Sequence, residues 1–398
     1  MPAFCQISAA CNMLTHLGHT VLGMNTVQLY MKVPGCRTPG HLENNSFASI
    51  NINIGPGECE WFGVPHDYWP IIEQMCKDDR DGTDGGGKEY QGAWWPPVQD
   101  LINANVPFYR FTQKAGDVVW VGGGCVHWVQ ATGWCNNVAW NVGPMTANQL
   151  EMALYAHEWN RLNSYRSLVP MQHLAWQLAR DVRFSNQKMF NVIKNILIRS
   201  LAYCRMVADF VERRAKMPIK FQSRQKGETA HYCHLCDIEV FNLLFVKEIG
   251  GKFRVFCVQC ARKNDIDDYV VLQQISFDEL ANVFDRFQLH PAKPDLNRQI
   301  DQLLAWYKCL DRYKCPIRFG RNLRTARLAR PARTNSPRFV QAKPDLNRQI
   351  DQLLAWYKCP DRSEDHHNSI WDYACIYLWI TITPFGVVSG SENHHNFI

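Results

Sequence analysis

The sequence predicts a mainly β protein with α segments: a β-barrel or sandwich, then a helical block, then a small cysteine-paired module. Three observations predict it. Short runs of Val, Ile, Phe, Tyr and Trp broken by Gly, Pro and Asn fill the first 145 residues, apolar residues recur at helical spacing from 146 to about 216, and two C-x2-C pairs follow. With 46% apolar and 20% charged residues over 398 positions, the composition is globular and excludes a wholly disordered, collagenous or coiled-coil chain.

The strand runs fall at residues 26–33, 49–54, 106–111, 118–121, 127–131 and 137–142, each bounded by turn formers. Residues 77–92, polar and crowded with Asp and Gly, read as an exposed loop without a catalytic role. Helices are expected over 147–162, 171–183 and 186–213, with Val192, Ile196 and Leu197 at helical spacing. From residue 228 the texture returns to short strands, closing in a helix near 277–287.

The net charge of +6 is local. Residues 291–341 carry twelve Lys or Arg against three Asp, so the rest of the chain has a balance of −3 and gives no footprint for nucleic acid. No run of about 18 uncharged apolar residues occurs, so no membrane span is expected. Sixteen scattered cysteines and a start without a basic, apolar leader point to a reducing, intracellular compartment. His157-Glu158 lacks the second His of a zinc-protease helix, and Gly85 to Lys88 lacks the first Gly and the Ser/Thr of a phosphate loop. Trp94, Trp95, Trp120, Trp128, Trp134 and Trp140 lack interleaved basic residues and read as core rather than base-stacking platforms.

Residues 292–309 recur without change at 342–359. Leu296, Ile300, Leu303, Leu304 and Tyr307 would line one face of a helix opened by Pro294 and Asp295. Two copies are too few for a solenoid, which needs about three. Beside an Arg-rich linker the repeat reads as a recent duplication or gene-assembly accident, and this tail is assigned no chemistry.

His41-Leu42-Glu43 is an H-x-E triplet, whose outer side chains share one face of a strand. Fourteen His in a chain with 37 acidic residues yield roughly one such triplet by chance, so context must decide. His127, in a second strand run, could reach the pair across a barrel lumen. Two imidazoles and one carboxylate leave three metal positions open, the set used by non-haem Fe(II) oxygenases. Lys32 and Thr38 suit the far carboxylate of a 2-oxo acid; the plainer alternatives are a snorkelling lysine and a turn-opening threonine.

Cys233, Cys236, Cys257 and Cys260 form two C-x2-C pairs separated by twenty residues. The spacing suits one closed tetrahedral zinc site, which is structural because no coordination position stays open. His231 and His234 stand as alternative ligands.

Residues 24–57, together with Tyr109-Arg110-Phe111, Gly116-Asp117, the segment 126–144, Val169-Pro170-Met171 and the segment 230–262, closely resemble JmjC histone demethylases of the UTX/UTY and JMJD-three type. The similarity covers about residues 2–289. It implies a JmjC double-stranded β-helix (cupin or jelly-roll barrel) over 1–145, lacking its N-terminal edge, a helical linker over 146–225, and a GATA-like zinc module over 226–289. The basic duplicated tail, 290–398, has no counterpart and is expected to be poorly ordered. By this resemblance His41, Glu43 and His127 correspond to iron ligands, Lys32, Thr38, Asn51 and Asn137 to groups around 2-oxoglutarate, and Gln28, Tyr30 and Ser49 to positions around the methylated lysine.

The implied activity is Fe(II)- and 2-oxoglutarate-dependent demethylation of tri- and dimethylated lysine 27 on histone H3. The cosubstrate becomes succinate and carbon dioxide while an N-methyl carbon is hydroxylated and leaves as formaldehyde. Implied partners are the histone H3 tail or nucleosome and, as in similar proteins, a histone methyltransferase complex; the implied location is the nucleus, with no membrane and no sequence-specific DNA contact. The alternative is a truncated, non-catalytic chromatin-binding scaffold. Two departures mark this chain: Leu42 stands where the family has a polar residue, and Gly123-Gly124-Cys125 replaces the usual approach to the last histidine.

Overall fold

Residues 49–53 read Ser-Ile-Asn-Ile-Asn, an alternation that sends three polar side chains to one face of a strand and two isoleucines to the other. A sheet built this way needs apolar cover outside and polar partners inside. The computed structural model, which describes residues 5–81, 94–163, 165–291, 385–389 and 396–397, supplies both.

The chain runs through β1 (Gln28–Lys32), β2 (Arg37–His41), β3 (Ala48–Pro56), β4 (Cys59–Val64), α1 (Trp69–Asp81), α2 (Val98–Asn103), β5 (Tyr109–Gln113), β6 (Val118–Val121), β7 (Val126–Ala131) and β8 (Cys135–Val142). One antiparallel sheet has the order β1-β8-β3-β6 and the other β2-β7-β4-β5, so the chain winds back and forth between two faces as in a jelly roll. Beyond them come α3 (Ala147–Leu162), α4 (Met171–Asp181), α5 (Gln187–Asp209), β9 (Ile219–Phe221), β10 (His231–Tyr232), β11 (Glu239–Val240), β12 (Leu243–Ile249), β13 (Lys252–Phe256), α6 (Val258–Arg262), β14 (Val270–Gln273) and α7 (Phe277–Arg286). The mainly β architecture with α segments matches the fold class expected from sequence.

Register places the polar residues. Ser49 pairs with Asn141, Asn51 with Ala139 and Asn53 with Asn137, while Tyr30 pairs with Asn137 and Lys32 with Cys135. Paired residues share a face, so these side chains line one surface. The opposite face carries Ile50, Trp120, Trp140 and Val142, sealed by Cys5 near the N-terminus. On the second sheet Phe62, Val64, Val126 and Trp128 pack outward beneath α1 and α2, with Leu42 against the same cluster.

Helix α5 ties the two remaining cores together. Its buried stripe, Met189, Ile193, Leu197, Ser200, Cys204 and Val207, advances by three or four residues. The first three apolar members pack with α3, α4 and α7, and Cys204 and Val207 pack instead under the cysteine-paired module. That module holds the sheet β13-β12-β14-β9 and the hairpin β10-β11.

Several differences from the sequence reading have local causes. Strand β4 falls outside the expected runs because Gly63 interrupts its apolar pattern, and Pro39 and Gly40 do the same to β2, of which only the end at His41 was expected as strand. Residues 77–81, read as loop, continue helix α1, and 82–93 lie outside the described residues. The repeated segments 292–309 and 342–359 also lie outside them. Of the tail, β15 (Phe385–Ser389) runs antiparallel beside β6, with β16 (Asn396–Phe397) along its outer side.

The module docks on the helices through one carboxylate. Helix α4 starts after Pro170, which has no side-chain oxygen to cap it. Glu239 supplies the cap from 66 residues away, accepting from the Gln172 amide at 3.0 Å and the His173 amide at 2.8 Å. Tyr232 adds a hydrogen bond from its hydroxyl to the Leu168 carbonyl at 3.0 Å. Burial pushes the Glu239 carboxyl up to about 7, against the pull of those amides.

A carboxyl raised on folding binds its proton more tightly in the native state, so its contribution is most favourable below the unfolded pKa and is lost as pH climbs to about 7. The loss is on the order of 3 kcal/mol at one unit per 1.4 kcal/mol. Urea unfolding between pH 5 and 8 should show wild-type stability falling more steeply than that of Glu239→Gln; parallel curves would contradict this assignment.

Candidate functional site

Three donor groups converge between the two sheets. His41 ends β2 and pairs across the sheet with His127 of β7. Their rings lie 4.1 Å apart between centroids, tilted by 50°. Glu43 follows two residues later, outside the strand, where it precedes the tight turn Asn44–Ser46; its φ of −63° and ψ of 148° keep the chain extended. The side-chain alternation expected of an H-x-E strand therefore persists one step past the strand's end. One ligand atom from each of His41, Glu43 and His127 lies within 4.8 Å of the other two.

Hydrogen bonds aim these atoms. A carbonyl only accepts, so His41 Nδ1–H donates to Pro39 O at 2.8 Å and His127 Nδ1–H donates to Cys125 O at 3.1 Å. Both Nε2 lone pairs are left for a shared partner, and His127 Nε2 stands 3.5 Å from Glu43 Oε1. Burial, with His127 adjoining, lowers the His41 pKa to about 4 and keeps the ring neutral. Burial would raise the Glu43 carboxyl, but His127, His41 and Asn141 outweigh it and hold it at about 2. Two lone pairs and an anion facing one point repel one another, and a divalent cation resolves that repulsion. The donor set fits Fe(II) in the two-histidine, one-carboxylate arrangement.

The surrounding wall is packed to hold that aim. Trp61 stacks on His127 with centroids 5.9 Å apart and an interplanar angle of 10°. Asn141 Nδ2 donates to Glu43 Oε2 at 2.9 Å and to Ala48 O at 3.2 Å. From α3, Gln149 donates to Ser46 O at 2.9 Å and accepts from Ala48 N at 3.2 Å, pinning the turn after Glu43, in which Asn45 and Ser46 both have a φ of 51°. Gly124 approaches β7 with a φ of +71°, and a Cβ there would meet Met152 Cε at 2.2 Å. The departure at Gly123-Gly124-Cys125 is thus filled from α3.

The remaining residues singled out from sequence fall around the same lumen. Asn137 and Asn51 are buried, and Asn137 Nδ2 donates to Asn51 Oδ1 at 2.9 Å. Lys32 is half-buried, its Nζ 5.7 Å from the Tyr30 ring centroid. Tyr30 donates its hydroxyl to Gln28 Oε1 at 2.5 Å, at the exposed rim. Ser49 is buried on β3, and Thr38 pairs with Val129 on the facing sheet. Sequence reasoning missed Asn141 and Trp61. A signal existed: Asn141 and Asn137 are polar exceptions in an apolar strand, four residues apart on the same face.

A second cluster joins Cys233, Cys236, Cys257 and Cys260, whose sulfurs all lie within 4.8 Å of one another. The first pair sits on a knuckle where Asp237, at a φ of 53°, donates its amide to Cys233 O at 2.9 Å. Hydrogen bonding from the Cys257 thiol and nearby amides draws the Cys233 thiol down to about 4. Four thiols, one already inclined to ionise, fit zinc. His231 instead bonds Glu228 through Nε2 at 2.7 Å.

Asn141→Ala should weaken divalent-metal binding at the His41 cluster by about 10–100-fold, because the Glu43 carboxylate loses its orienting donor. Titration with Co(II), followed by its visible absorption, checks this, and unchanged affinity would refute it.

Comparison with known proteins agrees with this layout. Residues 28–142 match the JmjC domain (hydroxylase) model, 149–204 the C-terminal helical domain of lysine-specific demethylase 6/UTY, and 222–277 the GATA-like domain of the same group. Human lysine-specific demethylase 6B is 50% identical over 297 residues, which is 73% of this chain and 18% of the human protein. Lysine-specific demethylase jmjd-3.1 of Caenorhabditis elegans is 34% identical over 72% of this chain and 27% of its own length. The matched part thus spans about a fifth to a quarter of these relatives. No helix among the described residues is long and apolar enough to cross a membrane. With matches to the JmjC domain and to that group's helical and GATA-like domains along one chain, and 50% identity to human lysine-specific demethylase 6B over 73% of it, the chain belongs to the lysine-specific demethylase 6 family.

Proposed function

We propose that this chain demethylates tri- and dimethylated lysine 27 of histone H3 with dioxygen and 2-oxoglutarate, releasing formaldehyde and succinate, and that it acts on chromatin in the nucleus. The observation that carries the reading is the three-donor cluster of His41, Glu43 and His127, set in a JmjC barrel. The names of the relatives, lysine-specific demethylases, support the substrate class.

In this reading His41, Glu43 and His127 hold Fe(II), and the bound ion with 2-oxoglutarate supplies the oxidation of an N-methyl carbon. Lys32, Thr38, Asn51 and Asn137 bind the cosubstrate, the lysine countering its far carboxylate and the others donating or accepting hydrogen bonds. Gln28, Tyr30 and Ser49 surround the methylated ammonium, whose polarised methyl groups rest against oxygen atoms because a trimethylated nitrogen has no proton to donate. Trp61 packs against His127 and keeps water from that side of the pocket. The histone tail or nucleosome is the partner, and assembly with a histone methyltransferase complex goes with the same reading. Zinc held by Cys233, Cys236, Cys257 and Cys260 has a folding role, and the GATA-like module would grip the tail at a distance from the target lysine, raising its effective concentration.

Incubating the full chain with Fe(II), ascorbate, 2-oxoglutarate and a trimethylated H3 peptide should give stepwise loss of 14 Da methyl increments, roughly, by mass spectrometry, abolished by His41→Ala or Glu43→Ala. Retained methyl groups on a folded, iron-loaded protein that still binds the peptide would favour a non-catalytic scaffold. Separately, zinc chelation or Cys233→Ser should remove the melting transition of the β9–β14 module, since metal-binding energy is folding energy there. An unaltered profile would rule out the four-cysteine assignment.

A further inference from the structure

Gln113 closes β5 and is wholly buried, yet it is polar and none of the roles above uses it. Its carboxamide cannot be turned round. Trp61 Nε1–H, which can only donate, meets Gln113 Oε1 at 2.9 Å. At the other end Gln113 Nε2 donates to the carbonyls of Asn51 at 3.0 Å and Asp117 at 3.2 Å, which can only accept. A flipped amide would set donor against donor and acceptor against acceptor.

That orientation passes outward. Asn137 Nδ2 donates to Gln113 Oε1 at 3.1 Å and to Asn51 Oδ1 at 2.9 Å, and Gln113 Nε2 also lies 3.3 Å from Asn51 Oδ1. The Cys59 thiol, 3.6 Å from Asn137 Oδ1, donates from the other side. The Asn51 oxygen is therefore taken by two donors. Its Nδ2 remains, and it meets no acceptor among the described residues. It shares the polar face of the first sheet with Lys32 and Asn137.

We propose that Gln113 is a positioning residue for the keto-acid cosubstrate: by locking the carboxamides of Asn51 and Asn137, it turns the Asn51 N–H toward the far carboxylate that Lys32 attracts. This rests on the 2-oxoglutarate-dependent reading above. Without Gln113 the Asn51 amide is free to present its oxygen to the anion, which repels it. Gln113 itself touches neither cosubstrate nor substrate.

The test separates positioning from simple core filling. The full chain is loaded with Mn(II) under nitrogen, so that no turnover occurs, and titrated calorimetrically with 2-oxoglutarate and with 2-oxobutyrate, which lacks the far carboxylate. Gln113→Met, similar in volume but without donors, should weaken 2-oxoglutarate by about 10–100-fold, the range of a lost hydrogen bond to a charged group, and leave 2-oxobutyrate within about twofold of wild type. Trp61→Phe, which removes the donor that orients Gln113 but keeps a ring against His127, should lower 2-oxoglutarate affinity selectively by about tenfold and decides the matter if the methionine variant does not fold. Equal weakening of both acids, or of neither, overturns the inference and leaves the enzyme reading intact. Failure of the wild type to bind 2-oxoglutarate at all would sink both.

Discussion

The barrel depends on satisfying polar side chains that its own alternation sends indoors. Each unpaired buried amide costs on the order of 1–3 kcal/mol and an unpaired carboxylate more, so an interior lined by asparagine, glutamine and histidine is tolerable only if donors and acceptors match. Here the matching also aims the groups that carry chemistry. The carbonyls of Pro39 and Cys125 take the Nδ1 protons of His41 and His127, which leaves both Nε2 atoms facing Glu43. Asn141 and the turn clasped by Gln149 hold the carboxylate side. The same hydrogen bonds that stabilise the interior therefore hold the donor set together before any ion arrives.

That interior needs support from outside it, because a turn with two consecutive non-glycine residues at positive φ does not hold itself. Helix α3 provides it through Gln149, and α3 in turn packs on α4 and α5. Helix α5 continues into the cysteine-paired module, and Glu239 of that module caps α4. A chain of contacts thus runs from the four cysteines, through two helices, to the backbone beside Glu43. Loosening the module would relax the helix that clasps the candidate metal site.

Much of this was legible in the sequence. The helix expected over 147–162 is the one observed, Ala147–Leu162, its start fixed by Thr146, whose side chain accepts from the Gln149 amide. The four cysteines and the three metal donors could be named because spacing and a long family resemblance both point to them. Strand β4 and the part of β2 before His41 were not legible, since Pro and Gly mask their pattern while pairing with β7 overrides local preference. Gln113 and Glu239 were beyond reach for a different reason: Gln113 is oriented by Trp61 and Asn51, 52 and 62 residues away, Glu239 caps a helix 66 residues away, and nothing beside either residue in the sequence announces those contacts.

Burial along the polar face also separates two kinds of chemistry. Tyr30 is 38% exposed at the rim, whereas Asn137 is wholly enclosed. A rim lined by a tyrosine hydroxyl and a glutamine oxygen suits a cation that arrives on a long flexible side chain and must leave again, since its charge is only partly desolvated there. In the proposed reading, an anion drawn to the enclosed end would meet donors already in place and a lysine beside them, and would bind without first reorganising its surroundings. On that reading the gradient from rim to floor would give the two ligands opposite electrostatic addresses on one sheet. It follows from nothing more than the strand register that pairs Tyr30 with Asn137 and Lys32 with Cys135.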